Sequence, residues 1–290
     1  MLSTNRKNKR AKYNKLLWYV WSSRQKFMWN FKVLSYFPTN RWQKSVISPL
    51  LKKPTLDKEE LSNYRPISNL SLISKIIERV VKSRLMDHLT SNSLLNSHQS
   101  AYSKHHSTET ALLYIHDYLI SAMGSQKISC LCLLDLSAAF DTIDHDILIT
   151  RLSSWFGMHG SVLSWFKSYL SSRCFRVKCE TDLSSWYTSS CSVPQGSILG
   201  QLLFVMYTTP LGTLISSCSL NHHLYADDTQ LFLSFLPTHL HYCIDHLHTA
   251  LNRISSWMTA NLLTLNSCKT EFLLIGRSSW LMSALSYRIV

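Results

Sequence analysis

The sequence predicts an α+β fold. Some segments repeat apolar residues at helical spacing, while others are continuous or alternating strand-like runs. The two kinds do not alternate strictly, which argues against a doubly wound parallel sheet. Gly and Pro number only 7 each in 290 residues, too few for an all-β chain built on tight turns. With 46% hydrophobic and 16% charged residues the chain can bury a core and is not a disordered tail. Collagen and coiled-coil compositions are excluded.

The elements follow in order. Val46 to Leu51 is a short strand ending at Lys52-Lys53-Pro54, and Asp57 to Arg65 reads as loop. Leu72 to Leu89 has the apolar spacing of a core-facing helix. Thr108 to Met123 reads as a helix capped by Ser107, with Ala111, Leu112, Ile115 and Leu119 on its buried face. Ile128 to Leu134 is a continuous apolar run bounded by Asp135, as in a strand covered on both faces. Helices are expected over Asp146 to Phe156 and Val162 to Leu170, then strands over Cys174 to Cys179 and Trp186 to Val193. Leu199 to Ile215 reads as a helix that Pro210 kinks or ends early. His222 to Ala226 and Thr229 to Leu233 read as a hairpin turning at Asp227-Asp228. Leu240, Ile244, Leu247, Leu251, Ile254 and Met258 then mark an amphipathic helix, and Glu271 to Ile275 a last strand stopped by Gly276.

No apolar run reaches the ~20 residues of a membrane span. The run from Leu16 to Trp21 is shorter than a signal-peptide core and has no small-residue cleavage site after it. The expectation is an intracellular protein of cytoplasm and nucleus, with no membrane partner. None of the 8 Cys is spaced C-x-x-C, and Cys130, Cys132 and Cys243 sit in apolar runs, so buried thiols are expected rather than disulfides. His239, Cys243 and His246 share a helical face, but beside the apolar stripe they read as packing or surface residues, not a zinc site.

The net charge of +13 is uneven. Thirteen basic residues and no acid precede Asp57, and from there on 17 bases balance 17 acids. Residues 1–40 lack clean periodicity and read as a basic appendage. Across the first 56 residues, Trp18, Trp21, Phe27, Trp29 and Trp42 among Lys and Arg suit a nucleic-acid backbone and bases, and equally a poorly ordered arm.

Asp227 and Asp228 are the sharpest local feature. Two-residue hairpin turns prefer Asn-Gly, Asp-Gly or Gly-Gly, because the central positions want φ > 0. Adjacent carboxylates there also repel, and a hard divalent cation such as Mg²⁺ would offset that. Solvated turn residues are the alternative. Asp135, ending an apolar run, would complete a three-carboxylate cluster if its strand neighboured the hairpin. Such a cluster suits two ions acting on a primer hydroxyl and a phosphate. Asp141, Asp144 and Asp146 are expected to be solvated or at a helix N-terminus.

At these residues the chain resembles the reverse transcriptases of non-LTR (LINE-type) retrotransposons. Asn63-Tyr64-Arg65-Pro66-Ile67-Ser68, preceded by Pro49-Leu50-Leu51-Lys52-Lys53, resembles the fingers motif. Leu134-Asp135-Leu136-Ser137-Ala138-Ala139-Phe140-Asp141 resembles the first catalytic motif, and Val193-Pro194-Gln195-Gly196-Ser197-Ile198-Leu199-Gly200 the glycine motif. Tyr225-Ala226-Asp227-Asp228 resembles the catalytic hairpin, and Trp257-Met258, Asn261, Leu263, Leu265-Asn266 and Lys269-Thr270 the motif that follows. The resemblance runs from about Trp42 to Gly276.

It implies a right-hand polymerase with an antiparallel palm sheet packed on helices: residues 41–127 fingers-like, 128–276 palm, 277–290 a tail, and the thumb absent or vestigial. It implies an RNA-directed DNA polymerase that uses two Mg²⁺ ions (Mn²⁺ as substitute), deoxynucleoside triphosphates, an RNA template and a DNA primer, with other chains of the same element as candidate partners. Asp135 and Asp227 would hold metal, and Asp228 would assist. Phe140 would be the gate beneath the incoming sugar, or else a core ring. Arg65 with Lys52 or Lys53 would hold triphosphate oxygens. Gln195 and Gly196 would permit close approach to base and template. Lys269 would lie near the pyrophosphate as a proton donor, or else be a solvated lysine. Ser103, Ser192, Gln201 and Thr208-Thr209-Pro210 depart from the family pattern. These departures, with the missing thumb and endonuclease, keep a second expectation open: a catalytically inactive nucleic-acid-binding remnant.

Overall fold

The computed structural model describes residues 44–276 apart from Lys104 and Ser172. The expected appendage (1–40) and tail (277–290) lie outside the described residues.

Ile128–Leu134 (β3) is an inner strand of a four-stranded antiparallel sheet. Its neighbours are Asp228–Phe235 (β9) on one side and Glu271–Ile275 (β11) on the other, and Asn221–Tyr225 (β8) completes the sheet beyond β9. Both faces are covered, which explains a run apolar without alternation. Leu131 and Phe232 pack against Ile115 on one face, while Cys130, Cys132 and Leu134 join the main core on the other. Short strands Leu136–Ser137 (β4) and Thr264–Leu265 (β10) pair beside it.

The second sheet orders Tyr64–Asn69 (β2), Lys44–Leu51 (β1), Arg173–Cys179 (β5) and Asp182–Leu183 (β6), with Tyr187–Ser189 (β7) also on β5. β1 runs antiparallel to β2 and parallel to β5. This sheet therefore takes strands from both sides of residue 128, and a cut there would not separate the two sheets. β2 was not expected: its Tyr64 and Arg65 were read as the end of a loop, and 66–69 were assigned to no element. Pro66 masks it in the sequence, yet β2 is an edge strand, where Pro is tolerated and sits opposite Pro49. The strand expected over Trp186 to Val193 shrinks to β7. Ser192 takes φ +79°, and the amides of Ser192 and Val193 leave the ladder for the carbonyls of Ile143 and Phe140.

Six α-helices complete the described residues: Leu72–Ser91 (α1), Thr108–Gly124 (α2), His145–Ser154 (α3), Gly160–Leu170 (α4), Gly200–Ser217 (α5) and Leu240–Ala260 (α6). None is long and apolar enough to cross a membrane. Ser107 caps α2 in a reciprocal box with Thr110. The buried stripe of α2 is Ala111, Ile115 and Ala122, so Leu112, expected inside, lies exposed. Pro210 does not stop α5, which continues to Ser217. The hydroxyls of Thr208 and Thr209 donate to the Phe204 and Val205 carbonyls in the turn before it. The α6 stripe buries Leu240, Leu247, Ile254 and Met258, with Ile244 and Leu251 half-buried against the core. All eight thiols are free. Burial pushes Cys130 up to about 11 and Cys132 up to about 12, whereas Cys243 is only half-buried.

β8 carries two buried imidazoles, His222 and His223. The His222 ring lies 4.8 Å from that of His98, tilted by 57°, and His223 lies beside Tyr114 and bonds the Ser100 hydroxyl, which also meets His106. Burial, then the neighbouring His98 and His223, lowers His222 from 6.5 to about 4. The unfolded chain therefore takes up a proton between those values that the folded one refuses, so stability falls as pH drops through this window and levels below it. The loss from this residue is on the order of 3 kcal/mol. Urea midpoints between pH 7 and pH 4 should fall more steeply for the parent than for His222→Asn. Parallel slopes would contradict it.

Candidate active site

The hairpin turns one residue earlier than expected. Tyr225 pairs Asp228, so Ala226 and Asp227 form the turn and Asp228 begins β9. Ala226 takes φ +57°, a conformation costly for any residue with a Cβ. The Gln99 side-chain oxygen accepts a bond from the Ala226 amide, and thus braces the turn from outside the hairpin.

Register brings the third acid in. The last paired residues of β3 and β9 are Leu134 and Thr229, so one step further the strands present Asp135 and Asp228. On the other side Asn266 and Lys269 hold Asp135. The Asn266 amide N–H donates to the Asp135 carbonyl, and its side chain donates to Oδ2 at 3.2 Å. Lys269 Nζ lies 3.1 Å from the same oxygen.

The electrostatics show which residues share the site. Burial raises Asp227 most, and Asp135 raises it further, while Lys269 and Arg65 pull it down. Asp228 is raised by partial burial, then by Asp227 and Asp135, against Lys269. Tyr102 is raised by burial and by the Asp227 charge. Asp135 and Lys269 therefore act on both hairpin acids, and Arg65 on Asp227.

This donor set suits a hard divalent cation. It offers carboxylate oxygens alone, and their mutual repulsion is what a cation would relieve. The cage is not preformed. Among the described residues no group of three or more His, Cys, Asp or Glu is arranged to hold a metal ion, and Asn266 and Lys269 both hold Oδ2 of Asp135. The residues fit such an ion in charge and donor type.

The other expected residues divide. Phe140 is half-buried, its ring 4.7 Å from that of Phe204, so one face belongs to the core. Gln195 does not stand free: its side chain donates to Asp141 Oδ2 at 2.9 Å, and its carbonyl accepts from the Ser68 amide of β2. Asp141, expected to be solvated or at a helix N-terminus, is half-buried, and burial raises it. Asp144 does cap α3, accepting from the Ile147 amide. Gly196 takes φ +101°, and a Cβ there would lie 3.0 Å from the Ser68 carbonyl. Its close approach is thus to β2. Lys52 is exposed, donates to the Ser62 carbonyl at 2.7 Å and makes no contact with the carboxylates. Asn266, Gln99, Tyr102 and Asp141 belong to this site or its support and were not expected there. Asn266 had a signal in its spacing three residues before Lys269, whereas Gln99 and Tyr102 come from a loop with none.

Comparison with known proteins places this geometry. The sequence pattern of the family described as Reverse transcriptase (RNA-dependent DNA polymerase) matches residues 51–288. The probable RNA-directed DNA polymerase from transposon BS of Drosophila melanogaster is 32% identical over 212 residues, 69% of this chain and 22% of the relative. That from transposon X-element of the same organism is 32% identical over 180 residues, 60% of this chain and 19% of the relative. The chain thus spans about a fifth of the curated relatives it matches. Among solved structures, apo telomerase from Candida tropicalis truncated from its C-terminal domain superposes with a TM-score of 0.59 at 13% identity, covering 87% of this chain and 54% of that one. Telomerase from Candida albicans in complex with a fragment of telomeric RNA gives 0.56 at 14%, covering 83% and 43%. These structural likenesses carry the fold, a fingers-and-palm polymerase architecture, and the sequence match carries the family. The chain belongs to the reverse transcriptase (RNA-dependent DNA polymerase) family.

Proposed function

We propose that this chain is the fingers-and-palm part of a retrotransposon-type RNA-directed DNA polymerase. The supporting observation is the convergence of Asp135, Asp227 and Asp228 where β3 ends against the β8–β9 hairpin, with Lys269 acting on these carboxylates and Arg65 on Asp227. The reaction joins a primer 3′-oxygen to the α-phosphorus of a deoxynucleoside triphosphate, gives the hydroxyl proton to water, breaks the bond from that phosphorus to the oxygen bridging to the β-phosphate and releases pyrophosphate. Asp135, Asp227 and Asp228 would hold two Mg²⁺ ions, which neutralise phosphate charge and lower the pKa of the primer hydroxyl. Arg65 binds triphosphate oxygens through its forked guanidinium, and Lys52 reaches them only if it leaves Ser62. Lys269, once off Asp135, gives a proton to the leaving pyrophosphate. Gln195 presents its amide in an orientation that Asp141 holds, and Gly196 lets that loop close on β2. The partners are an RNA template, a DNA primer and deoxynucleoside triphosphates.

Primer extension on an RNA template with Mg²⁺ or Mn²⁺ tests this. Addition of complementary deoxynucleotides by the full chain supports it. Template binding without any addition supports the second reading, an inactive remnant, to which the motif departures at Ser103, Ser192, Gln201 and Thr208-Thr209-Pro210 point.

Phe140→Ala should raise ribonucleotide use relative to deoxynucleotide use, because removing the ring opens room for a 2′-hydroxyl. Unchanged sugar selectivity with synthesis intact would leave Phe140 as a core ring on Phe204.

A further inference from the structure

Glu78 is a fully buried carboxylate in the middle of α1, at 0% exposure, and no motif singles it out. Burying a charge is costly unless it is paired and hydrogen-bonded. Glu78 meets that condition from three other parts of the fold. Its Oε2 accepts from the Ile198 amide at 2.7 Å and from the Leu199 amide at 3.4 Å, just before α5. Its Oε1 accepts from the Tyr169 hydroxyl of α4 at 2.8 Å, and Arg173 of β5 lies 4.0 Å away. Arg173 in turn stacks on the Tyr169 ring at 4.4 Å.

The start of α5 needs such a partner. Leu199, its cap residue, makes no side-chain cap bond, and the first amides of a helix have no partner within it. A carboxylate there also meets the positive end of the helix dipole. Within the loop, Ser197 Oγ accepts from the Gly200 amide and the Ser197 amide donates to the Pro194 carbonyl, so residues 194–200 form one tightly bonded unit. At its far end that unit carries Gln195 and Gly196 against β2.

We infer that Glu78 is the positioning residue of the glycine-motif loop: a buried anion on α1 that holds the Ile198 and Leu199 amides and so fixes where Gln195 and Gly196 stand. Its consequence for nucleotide binding rests on the reading that this loop faces the nucleotide. The anchoring itself does not.

The test uses the full chain and Glu78→Gln, which keeps the volume and one acceptor oxygen but loses the charge. Arg173→Lys is the control, since it alters the cation beside Glu78 and keeps the charge without touching the loop. Hydrogen exchange of residues 194–200 should become roughly 10- to 100-fold faster in Glu78→Gln, as for loss of one charge-assisted hydrogen bond, with β3 and α6 unchanged. Arg173→Lys should leave the loop near the parent. Unchanged protection of 194–200 in Glu78→Gln overturns the proposal, and so does faster exchange spread evenly over the protein. Equilibrium binding of a deoxynucleoside triphosphate to the chain with primer and template is read alongside. A weakening of about tenfold in Glu78→Gln, with a smaller change in the rate at saturation, carries the anchor through to the nucleotide. A loosened loop with unaltered nucleotide affinity keeps the anchor and overturns the facing of the loop. A parent chain that binds no nucleotide sinks the polymerase reading, while exchange still decides the anchor.

Discussion

Asp227→Asn is expected to reduce nucleotide addition by roughly 1,000-fold or more, the scale at which preorganised charge on a reacting phosphate is lost. The amide keeps the size of the carboxylate and the turn, but carries no charge. Stability should stay level or rise, because burial and the Asp135 charge both disfavour the ionised form of Asp227 in the folded chain. Affinity for primer and template should hold or improve slightly, since one negative charge leaves a surface facing phosphates. Primer extension, thermal melting and a binding titration on the same preparation check the three parts. Extension within tenfold of the parent would remove Asp227 from the chemistry. Lost extension with a lower melting temperature would assign the effect to folding.

Phe204→Ala is expected to cost about 3 to 5 kcal/mol of stability. Phe204 is fully buried on α5 and belongs to the main core, so its removal leaves a cavity lined by packed neighbours. Its ring also backs Phe140, and the half-buried gate would lose its support on that side. Urea unfolding measures the loss. A fall below about 1 kcal/mol would mean that the neighbours collapse into the gap and that the Phe140 contact has little weight. Phe204→Leu, which keeps more of the volume, should lose clearly less.

What could be read from the sequence was whatever depends on burial of long apolar runs. β3 is apolar at nearly every position because it is paired on both edges and covered on both faces, and α6 shows its stripe because one side packs on the core. Local chemistry was less legible where tertiary support overrules residue preference. The turn falls on Ala226 and Asp227 although Ala disfavours φ > 0, since Gln99, 127 residues earlier, bonds the Ala226 amide. β2 was hidden by Pro66, whose cost depends on its being an edge strand. Of the site, the three acids and Lys269 were legible from ordered motifs. The Asp141–Gln195 contact spans 54 residues and the Glu78–Ile198 contact 120, and neither residue type announces its partner.

The order of strands also sets when the protein can assemble. β3 ends at Leu134, yet one of its two neighbours begins at Glu271, and β1 waits for β5 at Arg173 to pair in parallel. At synthesis rates of about 5 to 20 residues per second, a growing chain would carry β3 for roughly 7 to 30 s before its last partner exists. Until β9 emerges at Asp228 this mostly apolar strand has both edges open, and after that one edge until β11; such edges are where nascent chains associate wrongly. Long-range pairing also slows the search after release from the ribosome. Refolding from denaturant should therefore be slow for the size of the chain, with a yield that falls as protein concentration rises.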